Sequence, residues 1–261
     1  MKVERRDVLK LGAGAAVGGV VAAAAPAQAQ SRYVIMPMPQ AAVPIAGTDQ
    51  LFPVRRIYCV GRNYLEHIRE MGNDEREPPF FFQKPLDALV MDGKPIPYPS
   101  LTKNFHYEVE LVVALKSGGR NITKEKARDH IYGYAVGLDM TRRDLQRASG
   151  DKKQPWEIGK SFDFSAPIAA LHPVDKVGHP REGFIRLAVN GEVKQDSDLK
   201  AMIWNVDEII ANLSTQYELA AGDIIYTGTP HGVGPVKAGE TMTCEIVGLG
   251  KLTTPVVAPL A

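Results

Sequence analysis

The chain has 261 residues, of which 44% are apolar and 23% are charged, the composition of a globular domain with a sizeable core. Its 31 basic and 30 acidic residues leave a formal charge of +1, so there is no net basic field to hold nucleic acid and no acidic excess typical of a disordered chain. Two cysteines are too few for a disulfide-stapled small fold or a four-thiolate zinc site.

The first 29 residues differ in composition from the rest of the chain. Arg5-Arg6 precedes a charge-free run of Ala, Gly and Val over residues 11–25 and resembles a twin-arginine export signature; Ala27-Gln28-Ala29 is a small-x-small cleavage site. The apolar run is too short and too rich in glycine for a membrane anchor or an ordinary cytosolic helix. The sequence therefore predicts a removed export signal over 1–29, a periplasmic mature protein and no membrane span within it.

The rest of the chain divides into an irregular, proline-rich arm over 30–53 and a domain over 54–261. β-Branched and aromatic enrichment between turn residues predicts strands at 56–60, 80–83, 107–115, 132–138, 185–189, 192–195, 224–226 and 241–247. Apolar spacing predicts helices at 64–71, 124–130, 141–148 and 206–216. Strands outnumber helices without a repeating βαβ pattern, which favours a β-dominated α+β domain. No dinucleotide-binding, Walker or serine-hydrolase motif is present in the sequence.

An alternating segment carries two carboxylates near the start of the predicted strand 107–115. On a strand, His106, Glu108 and Glu110 point to one face, and the two carboxylates stand about 7 Å apart. Like charges this close repel unless a cation lies between them, so the pair indicates a divalent metal site; a solvent-facing polar edge is the alternative.

Asp139 is the candidate for a third ligand. It ends an apolar strand just before a predicted helix; capping that helix is its alternative role. Three carboxylates without a cysteine suit Mg²⁺ or Mn²⁺, with Ca²⁺ also possible, and suit Zn²⁺ or Cu²⁺ poorly.

Three further features contain residues that could take part in catalysis or binding. His67 and Glu70 are neighbours on one helix face, and such a pair is either a general base or a surface hydrogen bond. Lys160 lies among apolar residues and needs an anion. The Gly-rich segment 227–234 follows a strand and is either a turn or a carboxylate-binding loop. Cys59 and Cys244 sit in apolar or alternating segments and are expected to be buried free thiols, with a disulfide between them as the alternative.

Taken together, these segments resemble the fumarylacetoacetate hydrolase family, in its acylpyruvate and fumarylpyruvate hydrolase branch. The resemblance runs from about residue 55 to residue 257, in the family's order and spacing. It rests on six motifs in register: 58–64 with His67 and Glu70, 81–85, His106-x-Glu108-x-Glu110, 137–146, 159–163 and 227–230.

The resemblance implies a fumarylacetoacetate hydrolase-type mixed β-sandwich roll that works as a homodimer. Glu108, Glu110 and Asp139 match the family's metal ligands, and His67 and Glu70 match its lid dyad. Lys160 and Gln146 match residues that stabilise or position the reacting carbonyl and enolate. Arg143 and Thr229 match positions that hold the α-keto acid end of the substrate.

The expected function is metal-dependent hydrolysis of the C3–C4 bond of an acylpyruvate, a small 2-oxo acid, to pyruvate and a carboxylic acid. Oxaloacetate decarboxylation or isomerisation of an unsaturated 2-oxo diacid at the same site is the alternative, and an exported non-enzymatic binding protein is a third. The acyl group stays open. A distal carboxylate, as in fumarylpyruvate, needs a cation, for which the candidates are Arg62, Arg69, Lys84 and Arg142.

Overall fold

Strands carry most of the regular structure. The computed structural model describes residues 33–64 and 77–260, and this part of the chain contains eighteen strands. In chain order they are β1 (Ala42–Pro44), β2 (Leu51–Pro53), β3 (Arg56–Gly61), β4 (Phe80–Lys84), β5 (Leu89–Met91), β6 (Ile96–Pro97), β7 (Phe105–Tyr107), β8 (Val109–Leu115), β9 (Ile131–Leu138), β10 (Thr141–Arg142), β11 (Ala166–Ile168), β12 (His172–Pro173), β13 (Phe184–Val189), β14 (Glu192–Asp198), β15 (Asp223–Tyr226), β16 (Gly234–Pro235), β17 (Thr241–Ile246) and β18 (Gly250–Val257).

The α-helices among these residues are short and lie between strands. They span Lys124–Ala127, Arg143–Asp151, Glu157–Lys160, Val174–Val177 and Val206–Gln216. The longest begins with a capping box, in which the Asn205 side chain accepts from the Glu208 N–H and the Glu208 carboxylate accepts from the Asn205 N–H. This reciprocal pairing satisfies two of the N–H groups that a helix start leaves without partners.

Two large sheets organise residues 40–261, which form one compact unit; residues 33–39 belong to the preceding unit and contain no helix or strand. The larger sheet has the order β4-β3-β15-β8-β9-β11-β5, with β12 added on β9. The second has the order β14-β13-β17-β18-β6. A small sheet joins β10, β7 and β16.

The central strand β8 is apolar on both faces because both faces of the larger sheet are covered. Leu111 and Val113 belong to one core cluster, with Leu187 and Cys244 of the second sheet. Val112 belongs to a second cluster, with residues of β1 and β2. A strand buried on both sides reads as a continuous apolar run, which matches the sequence of β8 after Glu110.

The predicted fold class is confirmed: the protein is β-dominated with few helices. The predicted strand 107–115 breaks at Glu108, where the chain passes from the small sheet to the larger one. The predicted helix 141–148 begins two residues later, because Thr141 and Arg142 pair with β7 as a strand. Of the predicted helix 64–71 only Tyr64 is described, and it forms an isolated β-bridge with Met202.

The structure contains several strands that the sequence pattern did not predict. The segment 30–53, expected as an irregular arm, contains the antiparallel pair β1 and β2. Each of these strands is three residues long and ends in proline, so neither shows a sequence period. The strand β18 has Pro255 in its interior, which argues locally against a strand.

Cys59 and Cys244 are buried free thiols, as predicted, and they lie in different core clusters. No helix among the described residues has the length and apolar character needed to cross a membrane.

Candidate active site and metal centre

Three buried carboxylates meet where β8 begins and β9 ends. Because β8 and β9 are antiparallel, Val109 lies opposite Leu138, and the residues just outside this pair, Glu108 and Asp139, come together. The Asp139 N–H donates to the Glu108 carbonyl at 2.9 Å. One carboxylate oxygen from each of Glu108, Glu110 and Asp139 lies within 4.8 Å of the other two, and none of these residues is more than 5% exposed.

Basic side chains surround two members of this acidic triad. The Lys160 ammonium donates at 2.7 Å to Glu108 Oε2, to Asp139 Oδ2 and to the Thr141 hydroxyl. The Arg143 guanidinium donates to Glu108 Oε1. Burial alone lowers the pKa of Lys160, but the charges of Asp139 and Glu108 outweigh it and raise that pKa. Lys160 therefore stays an ammonium ion.

Glu110 has no such basic neighbour in contact. Its Oε2 accepts from the Gly228 N–H at 2.8 Å, and among residues 33–64 and 77–260 no basic side chain forms an ion pair with it. Burial, and then the negative charges of Asp139 and Glu108, raise the pKa of Glu110 well above its ordinary value. A positive charge between the three carboxylates would remove this penalty.

The donor set fits a hard divalent cation. Asp139 Oδ1 is buried and accepts no hydrogen bond; the Lys84 ammonium lies 2.9 Å from it, but without hydrogen-bond alignment. His106 lies on the same face as the glutamates, yet its Nε2 faces Asn104 Oδ1 at 2.8 Å and its Nδ1 accepts from Arg143. Burial, followed by the charge of Arg143, lowers the pKa of His106 to about 4, so the ring is neutral. The site thus offers three carboxylates, which favours Mg²⁺ or Mn²⁺.

A cavity of about 560 Å³ opens onto the triad. Arg143, Gln146, Lys160 and Thr229 all line it. Gln146 reaches it because the helix Arg143–Asp151 packs directly on the helix Glu157–Lys160: a Cβ added to Gly159 would lie 2.7 Å from the Gln146 Cα. The Arg143 guanidinium bridges the Gln146 side chain and Glu108, so the helix and the acidic triad are held together.

The Gly-rich segment 227–234 closes another side of the cavity and is held by a residue that the sequence did not single out. Gln195 of β14 is fully buried; its Oε1 accepts from the Val109 N–H at 3.0 Å, and its Nε2 donates to the Thr229 hydroxyl at 3.0 Å and to the Pro230 carbonyl at 2.9 Å. Gln195 therefore ties this loop to the strand that carries Glu110. No local pattern marks it, because it lies in a polar hairpin strand more than 80 residues from Val109.

Two of the proposed substrate-binding cations occupy different environments. Lys84 is 4% exposed and donates to the Met140 carbonyl, the Ser165 hydroxyl and the Lys160 carbonyl, beneath the triad and away from the cavity lining. Arg62 does line the cavity. The proposed base pair His67 and Glu70, and Arg69, lie outside the described residues.

Comparison with known proteins relates the chain to enzymes. The chain matches the family model described as fumarylacetoacetate (FAA) hydrolase C-terminal over residues 56–257. It is 45% identical over 177 residues to the fumarylpyruvate hydrolase of a Ralstonia species, covering 68% of this chain and 92% of that protein. It is 41% identical over 205 residues to the mitochondrial oxaloacetate tautomerase of Homo sapiens, covering 78% and 93%.

A solved structure shows the same fold. The crystal structure of fumarylpyruvate hydrolase from Pseudomonas aeruginosa, in complex with Mn²⁺ and pyruvate, superposes with a TM-score of 0.84 at 54% sequence identity. The match covers 87% of this chain and 99% of that one.

Proposed function

The chain belongs to the fumarylacetoacetate hydrolase family, and on that premise we propose that it hydrolyses the C3–C4 bond of an acylpyruvate such as fumarylpyruvate. The products are pyruvate and a carboxylic acid. The observation that carries the proposal is the buried acidic triad with Lys160 charged against it at the base of a substrate-sized cavity. The fumarylpyruvate hydrolases of Ralstonia and Pseudomonas aeruginosa support the substrate class.

Glu108, Glu110 and Asp139 would hold the divalent cation, Mg²⁺ or Mn²⁺, with Ca²⁺ also compatible with an all-oxygen site. When bound, such an ion polarises a carbonyl oxygen and stabilises the negative charge that develops on it. Mn²⁺ is present in the Pseudomonas aeruginosa structure, which supports this assignment.

Side chains of the protein would offset the negative charge of the enolate and orient the substrate. Breaking the C3–C4 bond leaves its electron pair on C3 as the enolate of pyruvate, and the Lys160 ammonium, which lines the cavity, would offset that charge. The Gln146 amide and the Thr229 hydroxyl line the same cavity and can orient the 2-oxo acid end. Arg143 is already bonded to Glu108 and Gln146, so it holds these groups in place.

Hydrolysis also requires an activated water. The water oxygen is added to C4, and a proton is finally delivered to C3. His67, oriented by Glu70, is the proposed base that takes the proton from water. This part of the proposal rests on the sequence and the family resemblance.

The direct test measures pyruvate release by purified, metal-loaded enzyme from fumarylpyruvate and from acetylpyruvate. We expect activity with Mg²⁺ or Mn²⁺ that a chelator abolishes and that added metal restores. Full activity in excess chelator would contradict the metal-dependent mechanism. Ligand binding without turnover of either substrate would favour the non-enzymatic alternative.

Oxaloacetate tautomerase activity is the second candidate, supported by the human relative. It uses the same enolate stabilisation but needs no hydrolytic water; oxaloacetate decarboxylation shares this property. His67→Ala separates the possibilities: we expect acylpyruvate hydrolysis to fall roughly 10²–10⁴-fold, the range for a positioned general base, and oxaloacetate turnover to fall less. Equal losses with metal still bound would assign the dyad to closing or shaping the site.

We also propose, from Arg5-Arg6 and the Ala27-Gln28-Ala29 site, that the protein is exported to the periplasm. Replacing both arginines with lysine is expected to retain it in the cytoplasm, and unprocessed wild-type protein in the cytoplasm would contradict the proposal.

The homodimer implied by the resemblance is tested by light scattering of the purified protein, where a monomer at working concentration would contradict it.

A further inference from the structure

Arg62, one of the residues that line the cavity, has no ion-pair partner among the residues that the structure describes. Arg62 lies just after β3 and has a φ of +57°, a left-handed conformation that residues other than glycine rarely adopt. Its Nε is buried without a hydrogen-bond partner, and within the described part of the chain its guanidinium forms no ion pair. A buried unpaired guanidinium N–H is costly unless an anion completes it.

Aromatic rings hold this guanidinium in place. Its Cζ lies 5.8 Å from the centre of the Phe80 ring and 5.6 Å from the Trp156 ring, and these two rings meet edge to face at 4.9 Å. The Phe80 ring can lie there because residue 61 is glycine: a Cβ on Gly61 would be 2.0 Å from Phe80 Cζ. Ring contacts orient a cation without neutralising it, so Arg62 remains able to bind an anion.

The rings also connect Arg62 to the reacting end of the cavity. Trp156 contacts Phe82 at 6.2 Å between ring centres, and the Lys160 ammonium lies 5.4 Å from the Phe82 ring. Phe82 and Trp156 both line the cavity. An apolar wall therefore runs from the enolate-stabilising ammonium to the unpaired guanidinium, and a flat conjugated chain can lie along it.

Other basic residues are less suited to this role. Lys84 is buried against protein oxygens. Arg142 lies over the Phe162 ring at 4.2 Å and does not line the cavity. Arg143 is bonded to Glu108 and Gln146. Arg147 lines the cavity but is exposed, so water can solvate its charge.

We propose that Arg62 is the specificity-determining residue for the acyl end of the substrate, where it binds a carboxylate while the conjugated acyl chain lies against Phe82 and Trp156. This inference rests on the proposed acylpyruvate hydrolase function. It selects, within that function, acylpyruvates whose acyl chain is planar and ends in a carboxylate, over those with a neutral alkyl group.

The test compares kcat/KM for fumarylpyruvate and acetylpyruvate in the Mn²⁺-loaded wild type and in Arg62→Asn. Asparagine removes the charge and tolerates positive φ, so the backbone is not strained by the change. We expect the preference for fumarylpyruvate to fall about 10–100-fold, mainly through KM, as for loss of a charge-assisted pair. Arg62→Lys is expected to restore part of the preference. Arg147→Gln, the matched control on the cavity wall, is expected to leave it unchanged.

The outcomes separate this inference from the proposed function. Hydrolysis of both substrates with an unchanged preference in Arg62→Asn would overturn the role of Arg62 and leave the function standing. A shifted preference in Arg147→Gln alone would assign the carboxylate to that residue instead. If the wild type hydrolyses neither substrate, the proposed function fails, and calorimetric binding of fumarylpyruvate and acetylpyruvate to the two proteins then decides the role of Arg62: equal affinity ratios would overturn it.

Discussion

The acidic triad and Arg62 line the same cavity, but their buried charges are paired in different ways. At the acidic end, the triad belongs to the junction of β8 and β9, and Lys160 and Arg143 bond directly to Glu108. Arg62, by contrast, follows the end of β3 at a positive φ, has aromatic rings for neighbours, and its buried Nε–H has no partner among residues 33–64 and 77–260.

On the proposed function, the acidic triad and its partners serve the chemistry and Arg62 selects the substrate. Enolate stabilisation requires groups held before the substrate arrives, and a paired network on a rigid sheet supplies them. Substrate selection requires a charged group of the protein that forms an ion pair only when the substrate binds. Hydrolysis of an acylpyruvate and tautomerisation of oxaloacetate both need the first kind of group.

The largest effect is expected from Glu110→Gln, which removes one carboxylate of the acidic triad. Metal-dependent activity should fall by about 10³-fold or more, since a bound cation contributes several kcal/mol of transition-state stabilisation. In the metal-free protein the same change should raise the free energy of unfolding by about 1–3 kcal/mol, because a buried carboxylate beside two others is removed.

Titration with Mn²⁺ and thermal unfolding with and without metal check this prediction. The wild type should gain stability on Mn²⁺ binding and Glu110→Gln should gain little. Glu125→Gln, at an exposed glutamate, is the matched control. Unchanged Mn²⁺ affinity in Glu110→Gln would contradict the assignment of Glu110 as a ligand.

The second prediction concerns Lys160→Met, which keeps the length of the side chain and removes its charge. Hydrolysis should fall about 10²–10³-fold through loss of enolate stabilisation. The metal-free protein should lose about 3–5 kcal/mol, because Glu108 and Asp139 each lose a buried charge partner. Kinetics at saturating Mn²⁺ and chemical denaturation measure both effects, with exposed Lys176→Met as the control. A normal kcat with normal metal content would rule out the enolate role.

A smaller effect is expected from Gln195→Leu, which releases the loop on one side of the acidic end. The Val109 N–H loses its acceptor, which should cost about 1–3 kcal/mol, and the Thr229 hydroxyl loses a donor. Misplacement of Thr229 should lower kcat/KM about 10-fold, mainly through KM. Leucine at exposed Gln216 is the control. Stability lost without any change in KM would limit Gln195 to a structural role.

The smallest effect is expected from Gly61→Ala, which moves an aromatic ring beside Arg62 and leaves the acidic triad unchanged. The added methyl group must displace the Phe80 ring, and with it one support of Arg62. The preference for fumarylpyruvate over acetylpyruvate should fall about 2–5-fold, since one exposed cation–π contact contributes about 0.5–1 kcal/mol. Gly150→Ala adds the same methyl group in ordinary contact with Trp156 and should leave this preference unchanged. A loss of activity equal for both substrates would show that Gly61 acts on the whole site.

Much of the acidic end could be predicted from local sequence. The two-residue period places His106, Glu108 and Glu110 on one side, and all three line the cavity. Asp139 could be recognised as an acid at the end of an apolar strand. The local pattern could not show that β7 and β8 separate at Glu108, because the break depends on which strands pair on either side of it.

The sequence by itself determined the fold class, the family, the candidate ligands and the export hypothesis, because periodicity, residue type and motif spacing are local properties of the chain. Only the tertiary structure decided the placement of the cations: Lys84 lies 2.9 Å from Asp139 Oδ1, Lys160 lies between two carboxylates, and Arg62 has no counter-ion among the described residues. It also showed that Gln195 holds the loop. Charge pairing and buried hydrogen bonds depend on which distant segments the sheets bring together, and residues far apart in sequence carry no local mark of that contact.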